Sequence, residues 1–228
     1  MRMRRARTPA ALAAGALVVA VSLAIGVVSA TSSPKVVAHT TDAGPDGPVV
    51  VAIGDSIMEG HGLDPSQAWP SLLARQNGWR LTNLASDGSG FVTAGNNGDT
   101  FADQVAVAVR LNPSIVLVSG SSNDLGSDDE MIAGETAATI RALHAAVPRA
   151  EIFAVSPVWN DKSVPPQLNS IDLDVVQAVA AVGGYTLDIG QPLSGRPGMM
   201  QSDDVHPTPA GQELIAAAVE KALGHPVA

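Results

Sequence analysis

Val49-Val50-Val51-Ala52-Ile53-Gly54-Asp55-Ser56 is an apolar run that ends on a Gly-Asp-Ser turn. Five consecutive apolar residues read as a strand covered on both faces, because a strand with one wet face alternates apolar and polar residues. Further short apolar runs at 81–84, 115–118, 152–155 and 185–189 repeat the signal, and amphipathic stretches separate them. Strands buried on both faces belong to parallel sheets sandwiched between helices, so the expectation is an α/β fold: a three-layer αβα sandwich with a central parallel sheet of about five strands.

The helical stretches carry end signals. Asp64-Pro65-Ser66-Gln67 combines an N-cap, a first-position proline and a capping-box glutamine, and Gly78 is placed to stop that helix. Phe101, Val105 and Val109 share one face; so do Ile132, Ile140, Leu143 and Val147. Thr208-Pro209 opens a last helix with Ile215, Val219 and Ala222 inward. Asp128-Asp129-Glu130 fits a helix start, where carboxylates complement the dipole.

Upstream, Arg2, Arg4, Arg5 and Arg7 precede an apolar run from Ala10 to Ala30. A basic start followed by an apolar stretch reads as an export segment. Residues 1–30 are expected to be a signal peptide, cleaved after Val28-Ser29-Ala30, or an uncleaved signal anchor, with the domain secreted or extracytoplasmic in either case. Residues 31–48 read as a flexible tether and 49–228 as the single folded domain.

With four of the thirteen bases and none of the twenty-two acids in the first 30 residues, the remainder carries a net charge of −13. That balance repels nucleic acid and offers no polybasic membrane patch, so membrane contact rests on the N-terminal segment alone. The absence of cysteine excludes disulfides, thiolate nucleophiles and cysteine metal sites. No histidine or carboxylate spacing matches a zinc or calcium loop, so no metal and no cofactor are expected.

In an open parallel sheet, functional groups gather beyond the carboxyl ends of the strands. Ser56 follows the first strand there, Gly88 the second and Asn123 the third, while Asp203 and His206 follow the fifth. A serine hydroxyl needs a base to take its proton, and the base needs a third group to fix its tautomer. His206 is the natural base, with Pro207 keeping it out of helical geometry. Asp203, three residues earlier, is the preferred orienting carboxylate, and Asp204 is its rival. Charge that develops on a carbonyl oxygen requires donors already in place. The Ser56 N–H, the Gly88 N–H and the Asn123 amide qualify. His61 and Trp159 are candidate substrate contacts.

Four ordered blocks resemble the SGNH, or GDSL-like, hydrolase family: Gly54-Asp55-Ser56, Asn83-Leu84-Ala85-Ser86-Asp87-Gly88, Asn123-Asp124, and Asp203-x-x-His206-Pro207. The resemblance runs from Val49 to about Leu223. It implies a flavodoxin-like SGNH fold and metal-independent hydrolysis of acyl esters. By similarity Ser56 is the nucleophile, with Asp203 and His206 completing a triad and Ser56, Gly88 and Asn123 forming an oxyanion hole. Two positions depart from the family pattern: Ser121 stands where a glycine is usual, and Asp87 stands before Gly88, where serine or glycine is common. The expected partner is a small-molecule or glycan acyl ester. Two alternatives are a carbohydrate acetyl-esterase acting on envelope or extracellular polysaccharide, and a catalytically silent binding module on the same scaffold.

Overall fold

The computed structural model describes residues 33–42 and 46–227. The expected export segment, residues 1–30, lies outside them. Among the described residues no helix is long and apolar enough to cross a membrane.

Six strands form one sheet: β1 (His39–Asp42), β2 (Val49–Ile53), β3 (Arg80–Asn83), β4 (Ile115–Ser119), β5 (Glu151–Val155) and β6 (Tyr185–Leu187). Their order is β1-β3-β2-β4-β5-β6, with β1 antiparallel to β3 and every other pair parallel. The chain passes from β2 to β3 on one side and then crosses to β4 on the other. The crevice outside the carboxyl end of β2 is therefore the topological switch point, where open α/β sheets bind ligands. Ser56 is the third residue beyond that strand.

Alternation along each strand divides the core into two layers. Val50, Ala52, Leu117 and Val155 face α2 (Trp69–Asn77) and α6 (Pro209–Leu223), contacting Trp69, Leu73, Ile215 and Val219. Val51, Ile53, Val116 and Val118 face α3 (Phe101–Ala108), α4 (Asp129–Ala146) and α5 (Pro166–Ala181) through Phe101, Ile140, Leu143 and Val179. Helices on both sides explain why the strands are apolar on both faces.

Two expectations need correction. The segment read wholly as a tether contributes β1, with Val36 ahead of it packed against the core, so the fold begins upstream of Val49, and the sheet has six strands. His39-Thr40-Thr41 lacks apolar periodicity because an edge strand is held by its ladder and by contacts such as Thr41 Oγ1 donating to Ser71 Oγ at 3.0 Å. Asp64 does cap a turn, but that turn is a short 3₁₀ segment, Pro65–Gln67, and α2 starts afresh at Trp69. Pro70 has no N–H to give Ser66, so one continuous helix is impossible. The Ser66 carbonyl accepts from Arg75 Nη2 instead, at 2.7 Å.

Candidate active site

Gly54 is clamped by a buried side chain. Its N–H donates to Gln104 Oε1 at 3.0 Å and its carbonyl accepts from Gln104 Nε2 at 3.1 Å. A Cβ at Gly54 would lie 2.6 Å from Met58 Sδ, so a larger residue there would push the Met58 side chain aside. Asp55 caps α1 (Ser56–Glu59): its carboxylate accepts from the Ile57 N–H at 3.0 Å and from Ser121 Oγ at 2.8 Å. Burial pushes the Asp55 carboxyl above its ordinary range, and the Ser121 and Ile57 donors oppose that. Gly60, in the left-handed region at φ 87°, ends α1 after one turn. The Ser56 carbonyl then accepts from both the Gly60 and His61 N–H groups, which folds His61 back over the site.

The far end of the chain arrives at the same place. His206 Nε2 lies 3.0 Å from Ser56 Oγ, and His206 Nδ1 lies 2.8 Å from Asp203 Oδ2. The other carboxylate oxygen of Asp203 accepts from the Val205 and His206 backbone N–H groups, both at 3.0 Å. These donors hold the Asp203 carboxyl well below the usual range, the His206 bonds contributing most. An ionised Asp203 only accepts, so Nδ1 donates and Nε2 faces the serine hydroxyl with its lone pair. The rival orienting group, Asp204, turns away: its carboxylate meets Lys162 Nζ at 3.3 Å and its carbonyl accepts from Asn160 Nδ2. A hydroxyl within reach of an imidazole fixed by a carboxylate is an arrangement suited to nucleophilic acyl transfer.

A second histidine–carboxylate pair adjoins the first. His61 Nδ1 meets Asp87 Oδ2 at 2.5 Å, and the His61 ring stacks on His206 with centroids 4.0 Å apart. Asp87 also neighbours Glu59, whose carboxyl is pushed up to about 8 by burial and by the Asp87 charge. Glu59 Oε2 and Asp87 Oδ1 are both buried without a hydrogen-bond partner. Gln201 ties the two histidine loops together, its Nε2 donating to the carbonyls of His61 at 2.8 Å and Pro207 at 3.0 Å.

The remaining expected residues fall around this centre. Gly88 adopts a φ of 77°, and among the described residues neither its N–H nor that of Ser56 makes a hydrogen bond. Asn123 lies in a 3₁₀ turn capped by Ser121, and its Nδ2 donates one proton to the Ser89 carbonyl at 3.0 Å, leaving a second. Ser121, the departure from the usual glycine, thus serves Asp55 and Asn123 together. Asp124 is fully buried and accepts from the N–H groups of Phe91, Val92 and Thr93 at 2.7, 3.1 and 2.9 Å. A Cβ at Gly90 would strike its carboxylate at 2.4 Å. Trp159, in the loop after β5, packs against the cluster of Ile132, Leu168 and Ile171 with its Nε1 unpartnered.

Three supporting side chains escaped the sequence reading: Gln104 beneath Ser56, Gln201 between the histidine loops, and Gln212, whose Nε2 donates to the Ile57 carbonyl at 3.0 Å. Glutamines carry no motif, whether buried on a helix like Gln104 and Gln212 or in a loop like Gln201. Gln104 and Gln212 do interrupt otherwise apolar faces, and that was the available signal.

Residues 52–214 match the family described as GDSL-like Lipase/Acylhydrolase. GDSL lipase Rv0518 of Mycobacterium tuberculosis (strain ATCC 25618 / H37Rv) is 33% identical over 181 residues, covering 73% of this chain and 78% of the relative. Among solved structures, the psychrotrophic esterase EstA from Pseudoalteromonas sp. is similar with a TM-score of 0.62 at 18% identity, covering 78% of this chain and 97% of that one. A family two carbohydrate esterase from Clostridium thermocellum gives a TM-score of 0.64 at 18% identity, covering 79% and 66%. The chain belongs to the GDSL-like lipase/acylhydrolase family and is a carboxylic ester hydrolase on the SGNH fold.

Proposed function

We propose that the protein is an exported serine esterase or lipase-like hydrolase that cleaves acyl esters through Ser56, His206 and Asp203. The observation that carries this reading is the continuous pair of contacts from Ser56 Oγ through the His206 ring to Asp203, 3.0 Å and 2.8 Å. Ser56 Oγ attacks the ester carbonyl while His206 Nε2 takes its proton. The same proton passes to the leaving alcohol, an acyl-enzyme forms on Ser56, and a water activated by His206 releases the acid. Asp203 holds the ring in its tautomer and offsets the positive charge on the imidazolium. The N–H groups of Ser56 and Gly88 and the free Asn123 amide proton stabilise the oxyanion.

A second reading is a carbohydrate acetyl-esterase releasing acetate from an acetylated glycan, a substrate class suggested by the carbohydrate esterase of similar fold. Turnover of chromogenic esters from acetyl to long acyl separates the two, and Ser56→Ala abolishes activity on all of them. Unaltered turnover in Ser56→Ala would remove the mechanism. Export rests on the Arg2–Arg7 cluster and the apolar run behind it. Amino-terminal sequencing of protein from the culture medium should begin at Thr31; a product retaining Met1 in the membrane fraction would mean an anchor instead.

A further inference from the structure

Three side chains from three separate loops bring metal-ligating atoms together at the mouth of the site. His61, Asp87 and His206 each offer one ligand atom, and all three atoms lie within 4.8 Å of one another. In tetrahedral coordination by nitrogen and oxygen, neighbouring ligand atoms stand about 3.3 Å apart, so small side-chain movements complete a three-ligand set with a fourth position open. Two imidazoles and one carboxylate suit a borderline transition metal such as zinc rather than calcium or magnesium, which prefer oxygen alone. The ligands are reachable from solvent, with side-chain exposures of 40%, 24% and 17% for His61, Asp87 and His206. The chain has no cysteine to compete for the ion.

We propose that His61, Asp87 and His206 form a binding site for zinc, and that zinc bound there switches ester hydrolysis off. The switching half rests on the mechanism proposed above; the binding half does not. His206 has two ring nitrogens and both are engaged, Nδ1 with Asp203 and Nε2 with Ser56. Whichever nitrogen the ion takes, His206 loses either its orienting carboxylate or its serine. Metal-bound and catalytically competent states are therefore mutually exclusive. His61 supplies Nδ1 to the ion by placing its proton on Nε2. Asp87 exchanges the His61 contact for the ion. Sequence spacing hides the site because its ligands are distant along the chain.

The test pairs calorimetric titration of the full protein with zinc chloride and ester turnover at buffered free zinc. The expected result is one ion per chain, inhibition following occupancy, and recovery with a chelator. Ser56→Ala, which has no turnover, should bind zinc at least as tightly as the parent because the hydroxyl no longer competes for His206. His61→Phe keeps a ring beside His206 but removes a ligand, and Asp87→Asn removes the carboxylate charge. Each should weaken zinc binding at least about tenfold and shift the inhibition curve equally, compared with that variant's own metal-free rate. Absence of binding, or affinity unchanged in both folded variants, would overturn the site; full turnover with zinc bound would overturn the switch. If zinc binds as described while the parent hydrolyses no ester, the hydrolase mechanism fails and the binding site stands.

Discussion

The His61 ring lies against the His206 ring with centroids 4.0 Å apart and planes inclined by 28°. Because Asp87 and Gln201 hold the ring and loop of His61, that contact limits how far the imidazole opposite Ser56 can swing. Stacked aromatic contacts contribute about 0.5–1.5 kcal/mol, enough to change the share of well-aligned His206 by up to roughly tenfold. His61→Ala should therefore lower kcat several-fold with little change in KM. His61→Phe should lose less than His61→Ala. Equal kcat in the parent and His61→Ala would show that the stack positions nothing.

Asn123 spends one amide proton on Ser89 and keeps another. If that proton meets the oxyanion, Asn123→Ala should reduce kcat by about 10²–10³. Asn123→Asp should fall at least as far, since a carboxylate repels the developing charge. Steady-state kinetics with a chromogenic ester decide it, and near-parent kcat in Asn123→Ala would leave the residue a purely structural role.

Much of this arrangement was legible in order along the chain. The strand before Gly54, the Asp203-x-x-His206 spacing and the Asn123-Asp124 turn announce their places because strand ends, short spacings and turn chemistry are local. What was hidden is what depends on tertiary contact. β1 carries threonines instead of an apolar pattern, and Asp87 reveals its partners only when the loop holding His61 folds onto it. The pairing of Ser121 with Asp55 spans 66 residues. The missing N–H of Pro70 explains why the segment from Asp64 is a turn followed by a helix.

Asp124 organises the loop behind Asn123 by accepting three backbone N–H groups. Asp124→Asn replaces one acceptor oxygen by an NH₂ that faces donors, leaving at least one buried N–H without a partner. A loss of about 2–3 kcal/mol in urea unfolding is expected, with kcat falling as Asn123 loses its support. Stability within about 0.5 kcal/mol of the parent would contradict the accounting.

Gln104 should behave similarly but closer to Ser56. Gln104→Leu preserves bulk while stranding the Gly54 N–H and weakening the support of its carbonyl, at a cost of about 2–4 kcal/mol. The glutamine fixes the turn that carries the hydroxyl, so kcat should fall in the surviving folded protein. Parent-like unfolding midpoint and rate would show that the turn is held by its other contacts alone.

Asp172 on α5 links stability to pH. Burial, with a smaller contribution from the charge of Asp188, pushes its carboxyl from 3.8 up to about 6. A carboxyl with a higher pKa in the folded chain keeps its proton there after the unfolded chain has released its own. Between these two values the folded state holds more protons, so stability is greatest below the window and declines as pH rises through it. Asp172→Asn removes this contribution. Because the group is partly solvated, the difference is on the order of 1 kcal/mol, or about 2–4 °C in Tm for a domain of this size. Asp174, also raised by burial and by Asp129, leaves some residual slope. Thermal unfolding from about pH 4 to about pH 7 should give a flatter profile for Asp172→Asn than for the parent. Parallel profiles would mean that water reaches Asp172 freely enough to erase the effect of burial.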